Sequence, residues 1–281
     1  MAPTESAATD SCESSEPSAA RAAHAWSYDA IAEVYATDMG QSMPFDDVGW
    51  YRELCLQERA ASPDCAILEL GCGTGRILID LLRSGLDACG ADRSLPMLKR
   101  LRRDALVHGL EPQVVQMDIA QPAFAAQRAP FRVILLPYSL VTYLRDPAAA
   151  TDAIAAIAGL LAAGGCLALD AFVPQAVVSF VDFRLDYRRP HGSGTLERHK
   201  RITAAADGSN RIERRYRVLG ADGAVIDEFS TDETIRPYHA EDLVRFGAAA
   251  GLHWEALCWD YCQRMEADGA RFATVVLRKP S

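Results

Sequence analysis

Several signatures that would fix the class of this chain at once are missing, and each absence removes an option. No apolar run approaches the roughly 18 residues that a membrane-spanning helix needs, so the chain reads as soluble. No C-x-x-C pair occurs, and Cys258 and Cys262 stand without a second cluster or histidines at finger spacing, so no structural zinc or other metal is expected. The phosphate-loop pattern G-x-x-x-x-G-K-[ST] is absent throughout. Positive charge is in short supply: a net charge of −9 over 281 residues argues against a nucleic-acid partner, because a phosphate backbone rewards clustered lysine and arginine. A basic, apolar leader is also missing, since Glu5, Asp10, Glu13 and Glu16 precede the first basic residue, Arg21. The eight cysteines are scattered, several of them in expected strands, which suits free thiols in a reducing cytoplasm.

With 49% hydrophobic residues, the chain can bury one substantial core and still spare length for an insertion. Residues 1–25 are rich in Ala, Ser, Glu and Pro and are expected to form a disordered tail. The most informative stretch is Ile67 to Ile77, ILELGCGTGRI. Ile67, Leu68 and Leu70 suit a buried parallel strand, and Gly71, Gly73 and Gly75 let the next turn bring backbone amides close to a ligand at a helix start. The dinucleotide fingerprint needs a small residue where this chain has Arg76, so hydride transfer is disfavoured. By itself a G-x-G-x-G turn is weak, and structural use of the glycines stays open. Cys72, inside the turn, reads as a small filler rather than a nucleophile.

Later strand ends strengthen the signal. Leu86 to Ala91 ends in Asp92, followed by Arg93, Ser94 and Met97; at a strand terminus Asp92 would accept hydrogen bonds from ribose hydroxyls or simply cap a helix. Gln113 to Met117 ends in Asp118 and Ile119, and Phe131 to Leu136 ends in Pro137, Tyr138 and Ser139. Helices are expected at Arg76 to Ser84, Leu95 to His108 and Thr151 to Ala162, with Gly164 and Gly165 ending the last and releasing a fifth strand, Cys166 to Phe172. A helix at Ala240 to Ala250 and an antiparallel pair, His253 to Tyr261 with Phe272 to Leu277, complete seven strands. Between them, residues 173–239 read as an antiparallel β insertion, with strands at Thr195 to Thr203, Arg211 to Leu219 and Ala224 to Ile235 and turns at Asp207-Gly208 and Asp222-Gly223. The insertion is locally basic; its arginines could meet an anionic acceptor, or the acids Asp227, Glu228, Asp232 and Glu233 of the neighbouring strand.

ELGCGTG at Glu69 to Gly75, ADRS at Ala91 to Ser94, QMDI at Gln116 to Ile119, LLPYSLVTYL at Leu135 to Leu144 and LLAAGGCLALDAF at Leu160 to Phe172 together resemble the class I S-adenosylmethionine-dependent methyltransferases over roughly Trp26 to Lys279. The resemblance implies an α/β fold: a Rossmann-like, doubly wound, seven-stranded mixed sheet, with an N-terminal helical cap at residues 26–60, a core at 61–172 and 240–281, and the β insertion at 173–239 after the fifth strand as a substrate lid or dimer edge. It implies that Glu69 and the glycine loop hold the methionine end, Asp92 the ribose, and Met117, Asp118 and Ile119 the adenine. The full set expected at S-adenosylmethionine is Tyr28, Glu69, Gly71, Cys72, Gly73, Gly75, Asp92, Arg93, Met97, Met117, Asp118, Ile119, Pro137 and Tyr138.

Tyr28-Asp29, Ile31-Ala32 and Tyr35 resemble the YD-x-IA-x-x-Y leading helix of small-molecule N-methyltransferases, though these aromatics also suit a core. Tyr35, Tyr138 and Tyr143 are expected at the reacting groups, presenting π-faces or hydroxyls. His239 is a candidate general base and His191 a candidate lid residue. LLPYS departs from the N/D-P-P-Y/F motif of nucleic-acid amino-methyltransferases at Leu136, which weighs against base methylation. The layout resembles amino-sugar N,N-dimethyltransferases and glycine/sarcosine-type enzymes, implying N-methylation of an amine in secondary metabolism, with a homodimer through the inserted strands an option. O- or C-methylation of a natural-product intermediate stays open, as does a cofactor-binding regulator or cyclase that transfers no methyl group.

Overall fold

A computed structural model describes residues 27–39, 43–122, 130–262 and 267–281. The expected disordered tail, and Cys12 within it, lie outside the described residues.

The chain opens with short helices α1 (Ser27–Ile31) and α2 (Tyr35–Met39) and the longer α3 (Asp47–Ala61). Asp46 starts α3 by accepting the Gly49 N–H at 2.8 Å. Strands β1 (Ile67–Leu70), β2 (Ala88–Asp92), β3 (Gln113–Gln116) and β4 (Phe131–Leu136) then alternate with α4 (Leu78–Arg83) and α5 (Leu95–Leu106). A 3-10 turn (Leu140–Tyr143) leads to α6 (Pro147–Gly159) and β5 (Leu161–Phe172). Four long strands follow: β6 (Phe180–His191), β7 (Gly194–Ala204), β8 (Asn210–Leu219) and β9 (Val225–Ile235). The chain ends with α7 (Ala240–Ala249), β10 (His253–Trp259) and β11 (Phe272–Arg278).

The main sheet has seven strands in the order β10-β11-β5-β4-β1-β2-β3, all running the same way except β11, which is antiparallel to both β5 and β10. All four residues of β1 are buried, as expected for a central parallel strand covered on both faces. Strand order reverses between β1 and β4, so a crevice opens at their carboxyl ends, where doubly wound sheets bind ligands. One apolar layer, centred on Ile134, Leu136, Ile154, Leu243 and Phe246, packs α6 and α7 against the sheet; another, with Tyr51, Leu78, Leu81, Leu101 and Val133, packs α3 to α5 on the other face. Among the described residues no helix is long and apolar enough to cross a membrane.

The insertion is a separate four-stranded antiparallel sheet, β6-β7-β8-β9. Its first strand, β6, was not among the three expected, although Val181 to Arg188 alternates apolar and charged residues, the pattern of a half-buried strand, and only Arg189 to His191 breaks it. The helix before β5 also differs. Asp146 caps it by accepting the Ala148 N–H, Pro147 occupies its first turn, and it ends at Gly159 rather than Ala162. Gly164 and Gly165 therefore lie inside β5, where the β4 pairing shifts register between Phe131 and Val133. A third apolar cluster, Ile31, Ala32, Val34 and Met97 with Leu196 and Tyr216, joins the helical cap and α5 to the inserted sheet.

Candidate functional site

Two adjoining chambers open at the carboxyl ends of β1, β2 and β4. The first, of about 510 Å³, lies within the size range of small-molecule sites. Its floor is the glycine turn after β1. Gly71 has φ +68°, and a Cβ there would be strained and would push aside the Leu140 methyl 2.3 Å away. Gly73 also has positive φ but faces open space: a Cβ would meet nothing nearer than Gly71 O at 3.9 Å and Tyr35 at 4.0 Å. This bare stretch of backbone is a cradle into which a ligand can press.

Asp92, at the end of β2, is tied to that turn. Its two carboxylate oxygens accept from the Gly73 N–H at 2.8 Å and the Ser94 N–H at 2.7 Å, leaving lone pairs toward the chamber. Burial raises its pKa against the opposing effect of these backbone donors. Ser94 caps α5 through Met97 N and donates to Asp29 of α1 at 2.6 Å, which fixes the cap beside the ribose-type acceptor. Arg93, Met97, Met117, Asp118, Ile119 and Pro137 line the same chamber, with Arg93 and Asp118 paired at 3.5 Å.

Three expected cofactor residues stand behind this surface rather than on it. Glu69 is 3% exposed and off the chamber wall; its carboxylate takes the Leu78 N–H, and Oε2 has no hydrogen-bond partner among the described residues. Burial pushes its pKa up to about 8. Cys72 is buried with its thiol pKa raised by desolvation, and a Cβ at Gly90 would clash with its sulfur at 2.7 Å, so it fills space between β1 and β2. A Cβ at Gly75 would lie 2.7 Å from Leu101, so this glycine serves helix packing. Arg76, which breaks the dinucleotide pattern, makes a bidentate pair with buried Asp47 at 2.6 Å and so ties the turn to α3.

The second chamber, of about 460 Å³, lies between the core, the cap and the inserted sheet. Tyr28, Tyr35, Tyr138, Tyr143 and Glu233 line both chambers and form the partition between them. Tyr28 packs edge-on against Tyr35 and Tyr143, with ring centroids 5.9 and 6.1 Å away. Burial holds the phenols of Tyr28, Tyr35 and Tyr143 well above their ordinary pKa and pushes Tyr138 up to about 12. Beyond the partition, the chamber contains five basic side chains, Arg189, Arg198, Lys200, Arg214 and Arg271, against three acidic ones, Asp38, Asp186 and Glu233.

Tyr138 and Ser139 both have φ +55°, a costly backbone for non-glycine residues. Asp170 on β5, fully buried, holds them there: it accepts the Tyr138 N–H at 2.9 Å, the Ser139 N–H at 2.6 Å and the hydroxyls of Tyr51 and Tyr261 at 2.6 and 2.7 Å. Asp170 was missed as a site residue because it lies inside β5, before Ala171 and Phe172, and lacks the strand-end position that marks Asp92.

His239 is not at the site. It is exposed, lines neither chamber and stands at the N-cap of α7, where its N–H donates to Asp242 at 2.9 Å. The residue after an insertion is well placed in sequence to reach a cleft, but here Tyr238 is turned inward instead, its hydroxyl bonded to Leu144 O. His191 contacts Thr37 of the cap at 2.9 Å. Many of the inserted arginines are satisfied within the sheet, Arg211 by Asp232, Arg214 by Glu233 and Arg217 by Glu228. Among the described residues no group of three or more metal-ligating side chains exists.

Residues 67–165 match the family described as methyltransferase domain. A carboxy-S-adenosyl-L-methionine synthase of Campylobacter concisus is 27% identical over 121 residues, 42% of this chain and 50% of that protein, so the chain spans about half the length of the curated relative it matches. Among solved structures, the CcbJ methyltransferase of Streptomyces caelestis superimposes with a TM-score of 0.73 at 23% identity, covering 91% of this chain and 99% of that one. The sugar N-methyltransferase KedS8 of a Streptoalloteichus species gives a TM-score of 0.67 at 22% identity, with both chains fully covered. The bare cradle at Gly73, the acceptor carboxylate of Asp92 and the apolar slot of Met117 and Ile119 fit a nucleoside that carries a charged tail. Residues 67–165 thus match a methyltransferase domain, and the fold around them is that of these methyltransferase structures.

Proposed function

We propose that the protein methylates the amine nitrogen of a small natural-product intermediate that also carries an anionic group. The observation that carries this reading is the tyrosine partition: a donor in the first chamber and an acceptor in the second would meet across Tyr28, Tyr35, Tyr138 and Tyr143. When bound, S-adenosylmethionine supplies a methyl carbon on a sulfonium, transferred by in-line displacement. In this reading Gly73 and its neighbours approach the donor through backbone, Asp92 accepts from the ribose hydroxyls, and Met117, Asp118 and Ile119 surround the adenine. The tyrosine faces sit where positive charge gathers, on donor and acceptor alike.

The raised phenol pKa values favour nitrogen over oxygen or carbon. These tyrosines keep their protons, so an alcohol would find no phenolate base, whereas an amine needs only its lone pair and a place for one proton. The excess of basic over acidic side chains in the second chamber supports an anionic group on the acceptor, in a protein whose total charge is −9. The description of KedS8 as a sugar N-methyltransferase agrees with this reading.

Two measurements test it. Calorimetry is expected to show binding of S-adenosylmethionine and S-adenosylhomocysteine and none of NAD; Asp92→Ala with Gly73→Val should weaken that binding by at least about 100-fold, through loss of a charged acceptor and filling of the cradle. Unchanged affinity in the double variant would remove the site assignment. Turnover to S-adenosylhomocysteine is then read over a panel of primary and secondary amines and matched alcohols, each with and without phosphate or carboxylate. Phosphorylated or carboxylated amines are expected to lead; a preference for alcohols would overturn the nitrogen reading.

A further inference from the structure

Near neutral pH an amine arrives as an ammonium ion, and its lone pair exists only once a proton has left. The partition tyrosines cannot keep that proton as a net gain, because each is already a neutral phenol. The proton needs a further acceptor.

The Tyr28 hydroxyl lies 2.9 Å from the Tyr143 hydroxyl, which lies 3.4 Å from Glu233 Oε2. A carboxylate only accepts, so Tyr143 donates to Glu233 and its oxygen accepts from Tyr28. That polarity leaves a lone pair on the Tyr28 oxygen for an N–H in the chamber. The 3.4 Å contact is long for a hydroxyl donor, and contacts of this kind tighten when substrate binds. Glu233 is 3% exposed at its side chain, and Arg214 of β8 donates to Oε2 at 2.6 Å, which balances its charge. The charged and titratable groups that face this carboxylate are therefore Arg214 from the inserted sheet, Tyr143 from the 3-10 turn and Tyr28 from α1.

We propose that Tyr28, Tyr143 and Glu233 form a proton relay that moves the acceptor's N–H proton from the partition to a carboxylate of the inserted sheet; the idea rests on the amine reading above. The N–H bond breaks and its electron pair stays on nitrogen. The proton goes to the Tyr28 oxygen as the Tyr28 proton passes to Tyr143 and the Tyr143 proton to Glu233, so both tyrosines end neutral and Glu233 ends as the acid. The nitrogen lone pair then forms the N–CH₃ bond while the S–CH₃ pair returns to sulfur. Glu233 loses its proton to water when the chambers open for product release. Because Tyr28 belongs to the cap, Tyr143 to the core and Glu233 to the insertion, the relay is complete only when all three are docked.

The wiring is read without any acceptor. Protein labelled with ¹³C at tyrosine Cζ and saturated with S-adenosylhomocysteine is followed by NMR through a pH titration. The Tyr143 and Tyr28 signals are expected to move together as Glu233 ionises; Glu233→Gln should remove the step from both, and Tyr143→Phe should remove it from Tyr28, with Tyr35 and Tyr138 signals reporting an intact fold. A Tyr28 step that survives Tyr143→Phe, or never occurs, overturns the relay. For glucosamine 1-phosphate, or the panel amine that turns over fastest, both variants should lower kcat by about 100-fold with little change in KM. Coupled signals without any amine turnover would overturn the amine reading alone; amine turnover with uncoupled signals, or with kcat unmoved in both variants, would overturn the relay alone.

Discussion

Glu69 sits inside a fully buried strand with one carboxylate oxygen that no described donor reaches, and this has a consequence for stability. Desolvation lifts its pKa to about 8, against the opposing charge of Arg76. A carboxyl group raised in the folded state binds its proton more tightly there than in the unfolded chain. Its cost is therefore absent below the ordinary carboxylate value, grows as pH rises from about 4.5 to about 8, and is fully present above that. Glu69→Gln should leave Tm nearly unchanged at acid pH and raise it by several degrees above pH 8, an effect on the order of a few kcal/mol, when no ligand is bound. A cationic ligand in the adjoining chamber would favour the ionised form, so wild-type binding of S-adenosylmethionine should release protons between these limits, seen calorimetrically in buffers of different ionisation enthalpy. Glu69→Gln should abolish that release. A variant with the same Tm profile as wild type would mean that the carboxylate finds a partner in solution. At this scale the sequence was legible where chemistry coincides with a strand end, as at Asp92 and Tyr138. Glu233 and Asp38 were not, because their importance comes from β8–β9 and cap–insertion packing that no local pattern encodes.

At the scale of elements, one buried acid joins the cap to three strands of the insertion. Asp38, on α2, is 7% exposed and accepts from Arg198 of β7, Tyr187 of β6 and, at 3.5 Å, Tyr216 of β8, while the Arg189 guanidinium reaches the Asp38 carbonyl. Arg198 retains Asp186 as a second partner at 2.6 Å. Removing the charge with Asp38→Asn leaves a buried guanidinium half-compensated, a loss of about 2 to 4 kcal/mol local to this junction. Faster amide exchange is expected over β6 and β7 and residues 35–39, with the main sheet unchanged; unchanged exchange at this junction would show that the apolar cluster around Leu196 and Tyr216 suffices. The same element shows why boundaries were harder to read than architecture. The main sheet announces itself by apolar runs that end in acids, so its strands were legible to within a few residues. The stretch from Leu160 to Gly165 is apolar and small enough for helix or strand, and only the bridge from Phe131 to Leu161 decides that β5 has begun. Strand β6 carries a local signal as well: Val181, Phe183, Leu185 and Tyr187 alternate with Asp182, Arg184, Asp186 and Arg188, and of these charges Asp186 pairs with Arg198 and Arg188 with Glu197 inside the insertion.

For the whole molecule, the decisive property is that no single layer encloses either chamber. The first chamber is floored by the main sheet but walled by Arg211, Asp232, Glu233 and Thr234 of the insertion and by Tyr28 and Tyr35 of the cap. Ser27, the first residue of α1, is stitched to β9 in both directions: its hydroxyl donates to Asp232 O at 3.0 Å and accepts the Asp232 N–H at 3.2 Å. A ligand held by Asp92 and the glycine turn thus touches three parts of the chain, of which the cap is bonded to the insertion at Ser27, Thr37 and Asp38 and to the core where Ser94 donates to Asp29. Its binding free energy should be shared among them rather than confined to the main sheet. With S-adenosylhomocysteine at about 100 times Kd, the folded state gains about 2.7 kcal/mol, enough to raise Tm by about 5 °C or more. Amide exchange should then slow in residues 27–39 and in β9 as strongly as in the glycine turn, although β9 contributes only wall residues. Asp92→Ala, carried through the same titration, should show protection nowhere. Protection limited to residues 67–120 would mean that the insertion swings independently of the donor, and in that case Glu233 would not be held beside Tyr143 at the moment of transfer.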